Sequence, residues 1–315
     1  MNLLVTGSSG FIGRAFVMHA SKLPTVNVIA CSRRPCPNLP SGVRSIEVAG
    51  YDDAAMSAAL EGVTCVVHAA GRAHAASDNG SDSIDAFRRA NVHTTSRLAR
   101  QAVASGVSRF VFLSSIGVHG ESSSRPFTEA DQPVPASSYA AAKLEAEQEL
   151  RRISRDTSLD VVIVRPPLVY GADAPGNFGK LIRLARSGVP LPFGGIRNRR
   201  SLVGIDTLCG FLALVTLHAA AANQTFLVAE SGDVSTPDLI AVLRRAMGMS
   251  PRLFWVPAPL LGIFLKSAGG GRLTRQLCGD LQVSTSKARE LLHWAPPQDT
   301  ISGLHSTGLA FRRSA

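Results

Sequence analysis

Three glycines at three-residue intervals stand near the start of the chain, between an apolar run, Asn2–Thr6, and an amphipathic stretch from Phe11 to about Lys22. The run predicts a strand and the stretch predicts a helix. Because glycine has no Cβ atom, the backbone of such a turn can approach a diphosphate, whose charge then faces the free N–H groups of the helix N-terminus. The spacing predicts a dinucleotide-binding turn, with contacts from Gly7, Gly10, Phe11, Ile12 and Gly13.

Strand and helix signals continue to alternate through the first half of the chain. Further strands are predicted at Val26–Cys31, Thr64–Ala69, Arg109–Leu113 and Asp160–Arg165, and further helices at Phe87–Ser105 and Ala140–Ile153. Such alternation predicts an α/β fold, a doubly wound parallel sheet with helices on both faces. In sheets of this kind, ligands bind at the carboxyl ends of the strands.

The regular alternation weakens after Tyr170, where loops rich in glycine and proline separate isolated helices. We therefore expect a dinucleotide-binding domain over residues 1–170, joined by a returning segment near 201–228. The remainder, mainly residues 171–315, is expected to form a smaller C-terminal α/β lobe that binds the substrate.

The net charge of +10 raises the question of a polyanionic partner. The arginine pairs are spread along the chain with few aromatic residues between them, so the sequence indicates neither nucleic acid nor an anionic membrane as partner. An anionic small molecule accounts for some of these cations.

The five cysteines are irregularly spaced, so neither a disulfide framework nor a metal site is expected, and a reducing cytoplasm fits best. The longest apolar stretch, Leu208–Ala222, is interrupted by Gly210, Thr216 and His218. It is too short for a membrane span, which needs about 18 residues or more, and predicts a buried helix.

The second predicted strand leads into Ser32, Arg33 and Arg34, where dinucleotide-binding folds usually place an acidic residue against the adenosine ribose of NAD. A carboxylate there would repel a ribose 2′-phosphate, whereas a guanidinium group can bind it in bidentate fashion. The sequence thus favours NADP(H) as cofactor and leaves NAD(H) open.

Tyr139 and Lys143 lie four residues apart in a predicted helix, which places both side chains on one face. A tyrosine phenol titrates near pH 10, and a nearby ammonium group together with a positively charged cofactor ring would stabilise the phenolate. Ser115 follows a neighbouring strand and could hydrogen-bond the same substrate oxygen. We interpret the three residues as a catalytic group.

In this order, these motifs resemble the extended short-chain dehydrogenases/reductases that modify nucleotide sugars, members of the NAD-dependent epimerase/dehydratase family with a Rossmann fold. The resemblance covers nearly the whole chain. It rests on TGSSGFIG from Thr6, HAAG from His68, NVHTTSRLA from Asn91, SSIGVHG from Ser114, YAAAK from Tyr139, RPPLVYG from Arg165, PLPFG from Pro190, and LHWAPP from Leu292.

The resemblance implies roles for individual residues. Tyr139 would transfer the proton, Lys143 would bind the nicotinamide ribose and lower the tyrosine pKa, and Ser115 would orient the sugar carbonyl. It adds cofactor contacts at Ala69, Ala70, Gly71, Asn91, Ser114 and Pro166, and substrate contacts at Asn177, Phe193 and Arg200, with Arg200 as the pyrophosphate clamp. His119 departs from the pattern, because the family usually has tyrosine there.

Within the family the chain looks most like the reductases of the C4 ketone of UDP-4-keto-6-deoxy-N-acetylhexosamines, which serve bacterial surface polysaccharide synthesis. The apparent NADP(H) preference agrees with net reduction. A UDP-hexose or UDP-N-acetylhexosamine 4-epimerase with bound NAD is the alternative. A non-enzymatic NADP-binding sensor is a remote third reading, since such relatives typically lose the tyrosine or the lysine.

The resemblance also implies partners. A UDP-sugar is the expected substrate, and two copies are expected to pair through a four-helix contact built from Thr94–Val103 and Lys143–Ile153.

Overall fold

The computed structural model describes residues 1–50, 54–72, 81–257, 260–262, 271 and 274–313. Its strands are β1 (Asn2–Thr6), β2 (Asn27–Ser32), β3 (Arg44–Glu47), β4 (Cys65–His68), β5 (Arg109–Leu113), β6 (Asp160–Arg165), β7 (Leu168–Tyr170), β8 (Leu202–Gly204) and β9 (Thr225–Leu227). Its α-helices are α1 (Phe11–Ala20), α2 (Ala54–Leu60), α3 (Ser81–Phe87), α4 (Thr94–Ala104), α5 (Ser138–Asp156), α6 (Gly176–Arg186), α7 (Ile205–Leu217), α8 (Thr236–Ala246), α9 (Ser286–Leu292) and α10 (Thr300–Arg313).

Within the described residues, one parallel sheet of seven strands has the order β3-β2-β1-β4-β5-β6-β9, and β7 and β8 form a separate parallel pair. The direction of strand succession reverses between β1 and β4, which pair with Thr6 opposite His68. The turns that follow these two strands therefore open into one crevice, which is the usual ligand position in such sheets. The predicted doubly wound Rossmann fold with a smaller C-terminal lobe is confirmed.

Helices cover both faces of the main sheet because alternate strand residues point to opposite sides. Leu3 and Val5 pack with side chains of α1 and α7, whereas Leu4 packs with α2, α4 and α5. A third apolar core lies in the C-terminal lobe and joins side chains of α6, α8 and α10.

The predicted helix Phe87–Ser105 is interrupted by a π-helical turn, Arg88–His93, before α4 begins. The side chain of Asn91 donates to the carbonyl oxygen of Phe87 (3.1 Å), and the Thr94 hydroxyl donates to that of Arg89 (3.0 Å). These side chains compete with the backbone N–H groups for helix carbonyls, which favours the wider turn.

The predicted buried helix Leu208–Ala222 appears as α7, which ends at Leu217, followed by a short 3₁₀ turn. The extended backbone of His218 breaks the helix. One nitrogen of the Arg109 guanidinium donates to the carbonyls of Val215, Thr216 and His218. A cation thus provides hydrogen bonds for the free carbonyl groups at the C-terminus of α7. Within the described residues, no helix combines the length and apolar character that a membrane crossing requires.

Candidate active site

The glycine turn after β1 leaves no room for side chains. Gly7 has a φ of +72°, and a Cβ atom there would lie 2.7 Å from the backbone nitrogen of Ala70. A Cβ atom on Gly13 would lie 2.2 Å from the Gly7 carbonyl oxygen, which also accepts a hydrogen bond from the Gly10 N–H (2.9 Å). The turn is thus in close contact with α1 and with the residues that follow β4, and its open side can accommodate a diphosphate.

A cavity of about 500 Å³ lies where the glycine turn, the end of β2 and the run after β4 meet. Its described lining residues include no carboxylate and are Gly7, Ser9, Gly10, Ser32, Arg33, Arg34, Ala69, Ala70 and Gly71. Both Arg33 and Arg34 are exposed, and neither guanidinium group forms a hydrogen bond or ion pair with a described residue. The close-fitting glycine cradle fits the adenosine diphosphate part of a nicotinamide dinucleotide, and the two guanidinium groups lie at the edge of the same cavity.

The side chain of Ser32 forms hydrogen bonds within the turn that follows β2. Its hydroxyl donates to the carbonyl of Arg34 (2.6 Å) and lies 3.2 Å from the sulfur of Cys36. The contact of Ser32 with a cofactor stays a prediction.

Lys143 is buried at the carboxyl edge of the sheet. Its Nζ atom donates to the carbonyl of Leu113 (2.8 Å) and lies 4.5 Å from the centre of the Phe112 ring. A Cβ atom on Gly71 would lie 3.3 Å from the same Nζ, so glycine leaves space for the ammonium group. Burial lowers the pKa of Lys143 to about 8, and Glu147 partly opposes that shift.

Tyr139 lies one helical turn before Lys143, in the first turn of α5, whose N-terminus is capped by the Ser137 hydroxyl. Its ring packs edge to face on Phe87, with ring centres 6.1 Å apart. Desolvation raises the pKa of Tyr139 to about 12. The protein alone therefore keeps the phenol protonated, whereas the sequence led us to expect a pKa lowered by Lys143 and a charged cofactor ring together.

Ser115 follows β5 and begins a short 3₁₀ turn, where its Oγ accepts the N–H of Gly117 (3.1 Å). A Cβ atom on Gly117 would lie 3.4 Å from that Oγ and 3.6 Å from the Cβ of Ala140, the residue after Tyr139. The 3₁₀ turn thus packs on the first turn of α5, so the structure brings Ser115 to the same end of α5 as Tyr139.

Ser114 points away from this site into a buried polar network that the sequence did not predict. Its hydroxyl donates to Glu147 (2.6 Å), which also binds Arg165 through both carboxylate oxygens. The Arg165 guanidinium donates to Nε2 of His119 (2.7 Å), whose ring stacks on Phe127. The hydroxyl proton of Ser114 is therefore directed to Glu147, and the contact of Ser114 with a cofactor stays a prediction.

Two signals could have revealed this network. Glu147 lies four residues after Lys143 on the buried face of the same helix, and Arg165 follows four consecutive apolar residues at the end of β6. Both positions place a charge in the core, where it requires a partner. Burial and the charge of Arg165 lower the pKa of His119 to about 4.

Asn91 connects the π-helical turn to the crevice. Its side chain accepts the N–H of Arg72 (3.1 Å), donates to the Arg72 carbonyl (3.2 Å), and would be 2.7 Å from a Cβ atom on Gly71. Asn91 therefore holds the backbone after β4 against the ammonium of Lys143.

The remaining predicted cofactor contacts surround the same crevice. Phe11 lies beside Gly171, Ile12 is half-buried in α1, and the carbonyl of Pro166 accepts the N–H of Ile116 (2.9 Å), directly after Ser115. Their contacts with a cofactor stay predictions.

Asn177 and Arg200 both reach one segment of the C-terminal lobe, residues 276–279. The Asn177 amide donates to the side chain of Gln276 (3.2 Å), and the half-buried Arg200 donates to the carbonyl of Gly279 (2.8 Å). The side chain of Asn198 holds the same segment, because it donates to the carbonyls of Leu277 and Gly279 (both 3.2 Å). The sequence analysis missed Asn198, although it interrupts a run of arginines.

Phe193 lies in the core of the C-terminal lobe, where its ring is almost completely buried. The ring packs with the other side chains of this core, and the contact of Phe193 with a substrate stays a prediction.

No group of three or more His, Cys, Asp or Glu side chains is placed to hold a metal ion within the described ranges. The buried His68 bridges the hydroxyls of Thr6 (2.6 Å) and Thr95 (3.0 Å), and burial lowers its pKa to about 3. This histidine is a neutral hydrogen-bonding residue of the sheet.

Comparisons with known proteins agree with this geometry. The NAD-dependent epimerase/dehydratase family matches residues 3–229. The UDP-glucose 4-epimerase of Vibrio cholerae is 37% identical over 98% of this chain and 95% of its own length. The 2-alkyl-3-oxoalkanoate reductase of Stenotrophomonas maltophilia is 30% identical over 80% of this chain and 77% of its own length. The solved UDP-glucuronic acid 4-epimerase from Bacillus cereus in complex with NAD has the same fold, with a TM-score of 0.81 at 20% identity, covering 100% of this chain and 99% of that one.

Proposed function

The chain belongs to the NAD-dependent epimerase/dehydratase family, and we propose that it uses NADPH to reduce the C4 ketone of a UDP-4-keto-6-deoxy-N-acetylhexosamine, a step in bacterial surface polysaccharide synthesis. It is an NAD(P)-dependent enzyme of the extended short-chain dehydrogenase/reductase type. The observation that carries the proposal is the cofactor cavity, which presents Arg33 and Arg34 and no described carboxylate. A 2′-phosphate is the group this cavity accommodates best, and NADPH is the usual reductant of biosynthetic ketone reductions.

Bound NADPH would supply the hydride for C4. The glycine turn would hold its pyrophosphate at the N-terminus of α1, and Arg33 and Arg34 would pair with its 2′-phosphate. Lys143 would donate to the hydroxyls of the nicotinamide ribose, since its ammonium lies at the carboxyl edge of the sheet beside Gly71.

Tyr139 supplies the proton in this proposal. Ketone reduction leaves negative charge on the C4 oxygen, which must be protonated, and a phenol with a raised pKa is an acid that holds its proton until that charge develops. Ser115 would donate a hydrogen bond to the same oxygen. Oxidation of a C4 hydroxyl would instead require Tyr139 as phenolate.

Arg200 and Asn177 would bind the diphosphate of the nucleotide sugar. Both side chains meet residues 276–279, so this segment gathers them at one place in the C-terminal lobe. A half-buried guanidinium is well suited to a pyrophosphate, because partial desolvation strengthens its charge-assisted hydrogen bonds.

A 4-epimerase acting on a UDP-hexose or UDP-N-acetylhexosamine is the second candidate. The similarity to the Vibrio cholerae 4-epimerase favours it, whereas the ketone reductase of Stenotrophomonas maltophilia shows that net reduction also occurs among relatives. An epimerase returns its hydride to the sugar, so it needs no continuing supply of reduced cofactor.

Incubation with UDP-4-keto-6-deoxy-N-acetylglucosamine and NADPH separates the two reactions. We expect a continuous loss of reduced-nicotinamide absorbance, with one equivalent consumed per ketone reduced. Interconversion of UDP-hexoses or UDP-N-acetylhexosamines without net cofactor consumption would support epimerisation instead.

The cofactor preference has its own test. Arg33→Ser with Arg34→Ser should weaken NADPH binding by at least about tenfold and leave NADH binding nearly unchanged, because each bidentate phosphate contact is a charge-assisted hydrogen-bond pair. Arg44→Ser, which removes an exposed arginine of β3 outside the cavity lining, is the control. Equal losses for the two cofactors would remove the NADPH argument.

A further inference from the structure

Four large apolar side chains are exposed on the C-terminal lobe in two adjoining segments. Val189 is 55% exposed, Phe254 49%, Trp255 69% and Leu260 59%. We call these four residues the Trp255 patch. Single exposed apolar residues are ordinary on protein surfaces, but adjoining ones that include two aromatic rings mark an interaction surface.

The backbone holds this patch rigidly in place. Phe254 donates its N–H to the Leu191 carbonyl, and Gly194 donates its N–H to the Phe254 carbonyl (both 3.0 Å). A Cβ atom on Gly195 would lie 2.2 Å from the Val256 carbonyl and 3.3 Å from the Trp255 indole ring. The two segments that carry the patch are therefore in direct backbone contact.

The two stretches of sequence that contain the patch residues are rich in positive charge. Ala174–Ile205 and Leu239–Gly279 each contain six Lys or Arg residues and no Asp or Glu. Together they carry more positive charge than the whole chain, whose net charge is +10. The arginine pairs are spread along the sequence and do not reveal this uneven charge. The charge is uneven because both stretches lack acidic residues.

Arg252 lies close to the patch in space, and two further exposed cations precede Val189 in the chain. Arg252 precedes Phe254 by two residues and donates to the carbonyl of Gly188 (3.4 Å), the residue before Val189. Lys180 and Arg183 are exposed on α6, which ends three residues before Val189. None of these three cations forms an ion pair with a described residue.

We propose that the Trp255 patch docks the protein on an anionic lipid surface. Exposed aromatic and aliphatic side chains with neighbouring cations are the composition of a surface that enters the interface of a negatively charged membrane. The docking does not depend on the proposed function, and it requires no membrane-spanning helix.

Tryptophan fluorescence can report this docking directly. The chain has two tryptophans, and Trp294 is packed against Phe211, with ring centres 4.8 Å apart. In a Trp294→Phe variant, we expect Trp255 emission to shift to the blue with vesicles of phosphatidylcholine and phosphatidylglycerol, and the protein to sediment with them. Both signals should be absent with pure phosphatidylcholine and should decline at high salt. No binding to anionic vesicles at low salt, or equal binding to neutral ones, would overturn the proposal.

Matched variants separate docking from a loss of folding. Phe254→Ser with Trp255→Ser should abolish sedimentation with anionic vesicles, whereas Val134→Ser with Ile301→Ser, which removes exposed apolar residues elsewhere, should not. Lys180→Gln with Arg252→Gln should weaken vesicle binding by about fivefold for each cation removed, and Arg89→Gln with Arg155→Gln should weaken it less. Thermal unfolding of each variant verifies that it is folded.

Self-association is the competing explanation for the patch. Sedimentation velocity on the wild type and on the Phe254→Ser, Trp255→Ser variant tests it. A dimer that the double substitution converts to monomer, with no wild-type binding to anionic vesicles, would overturn the lipid assignment. A wild-type protein whose oligomeric state is unchanged by the substitutions supports it.

Discussion

At the level of single residues, burial determines the protonation states of the proposed catalytic pair. Desolvation raises the pKa of Tyr139 to about 12 and lowers that of Lys143 to about 8, because in both cases it penalises the charged form. The consequence differs for the two groups. The phenol holds its proton throughout the physiological range, and the ammonium remains mostly charged near neutral pH.

Substitution of Tyr139 by Phe should lower kcat by roughly 10²- to 10⁴-fold, the usual contribution of a positioned acid, and should leave the Kd for NADPH nearly unchanged. Steady-state kinetics and fluorescence titration with NADPH measure the two quantities. Tyr170→Phe is the matched control, since it removes a phenol that is bound to the buried Glu230. It should cost stability but retain turnover, and substantial activity in the Tyr139 variant would disprove its role as acid.

The buried side chain of His119 should make the protein less stable in acid. The pKa of His119 is lowered to about 4, below the value of about 6.5 expected in the unfolded chain. The unfolded chain therefore binds more protons, so the stability is complete above about pH 6.5 and falls as the pH drops toward 4. Between pH 7.5 and pH 5 the contribution of His119 should be a loss of about 2 kcal/mol.

Urea unfolding at the two pH values measures this loss. His119→Gln keeps an acceptor for Arg165 but does not titrate, so the difference between the two unfolding free energies should become smaller. His305→Gln, at an exposed position, should leave it as in the wild type. An unchanged pH dependence in the His119 variant would contradict the assignment.

At the level of the elements, each part of the glycine turn serves a different contact. Gly7 allows the turn to pass under Ala70, while Gly13 allows α1 to approach the Gly7 carbonyl. The N-terminus of α1 is thereby fixed at the end of β1, where the strand order of the sheet reverses and a diphosphate can bind.

Alanine substitution at Gly13 should destabilise the protein by about 1–3 kcal/mol, the usual cost of overpacking, and should weaken NADPH binding because α1 must move away from the turn. Gly210→Ala is the matched control. Gly210 lies within α7, where a Cβ atom would meet nothing within 4 Å, so alanine should stabilise the helix by up to about 1 kcal/mol. Urea unfolding of both variants gives the comparison, and equal effects would be inconsistent with the close contact.

The elements also show what the sequence could predict. β5 and β6 have the predicted bounds, because continuous apolar runs between polar residues specify buried strands locally. The π-helical turn could not be predicted, since it depends on the side chain of Asn91 meeting the backbone after β4. The sequence predicts that Tyr139 and Lys143 share one helix face, because they lie one helical turn apart. It does not predict the contact between Glu147 and Arg165, because that contact joins a helix to a strand and depends on the tertiary fold.

At the level of the whole molecule, the two ends of the proposed substrate meet different parts of the structure. In the proposed function, Tyr139, Lys143 and Ser115 at the carboxyl edge of the sheet would meet the sugar, and Arg200 and Asn177, which both reach residues 276–279, would bind the diphosphate. The division into domains at residue 170 stays a prediction. Pairing of two copies through α4 and α5 also stays a prediction, and on that face the arginines form ion pairs such as Arg88 with Glu145 (2.9 Å).

The most direct test of the account is the transfer of deuterium from NADPH labelled at the reactive nicotinamide carbon. With UDP-4-keto-6-deoxy-N-acetylglucosamine as substrate, mass spectrometry and NMR should find one deuterium at C4 of the UDP-sugar product and none elsewhere. Tyr139→Phe should give little or no labelled product. A product without deuterium at C4, or an epimerised UDP-hexose formed with no net consumption of NADPH, would contradict C4 reduction.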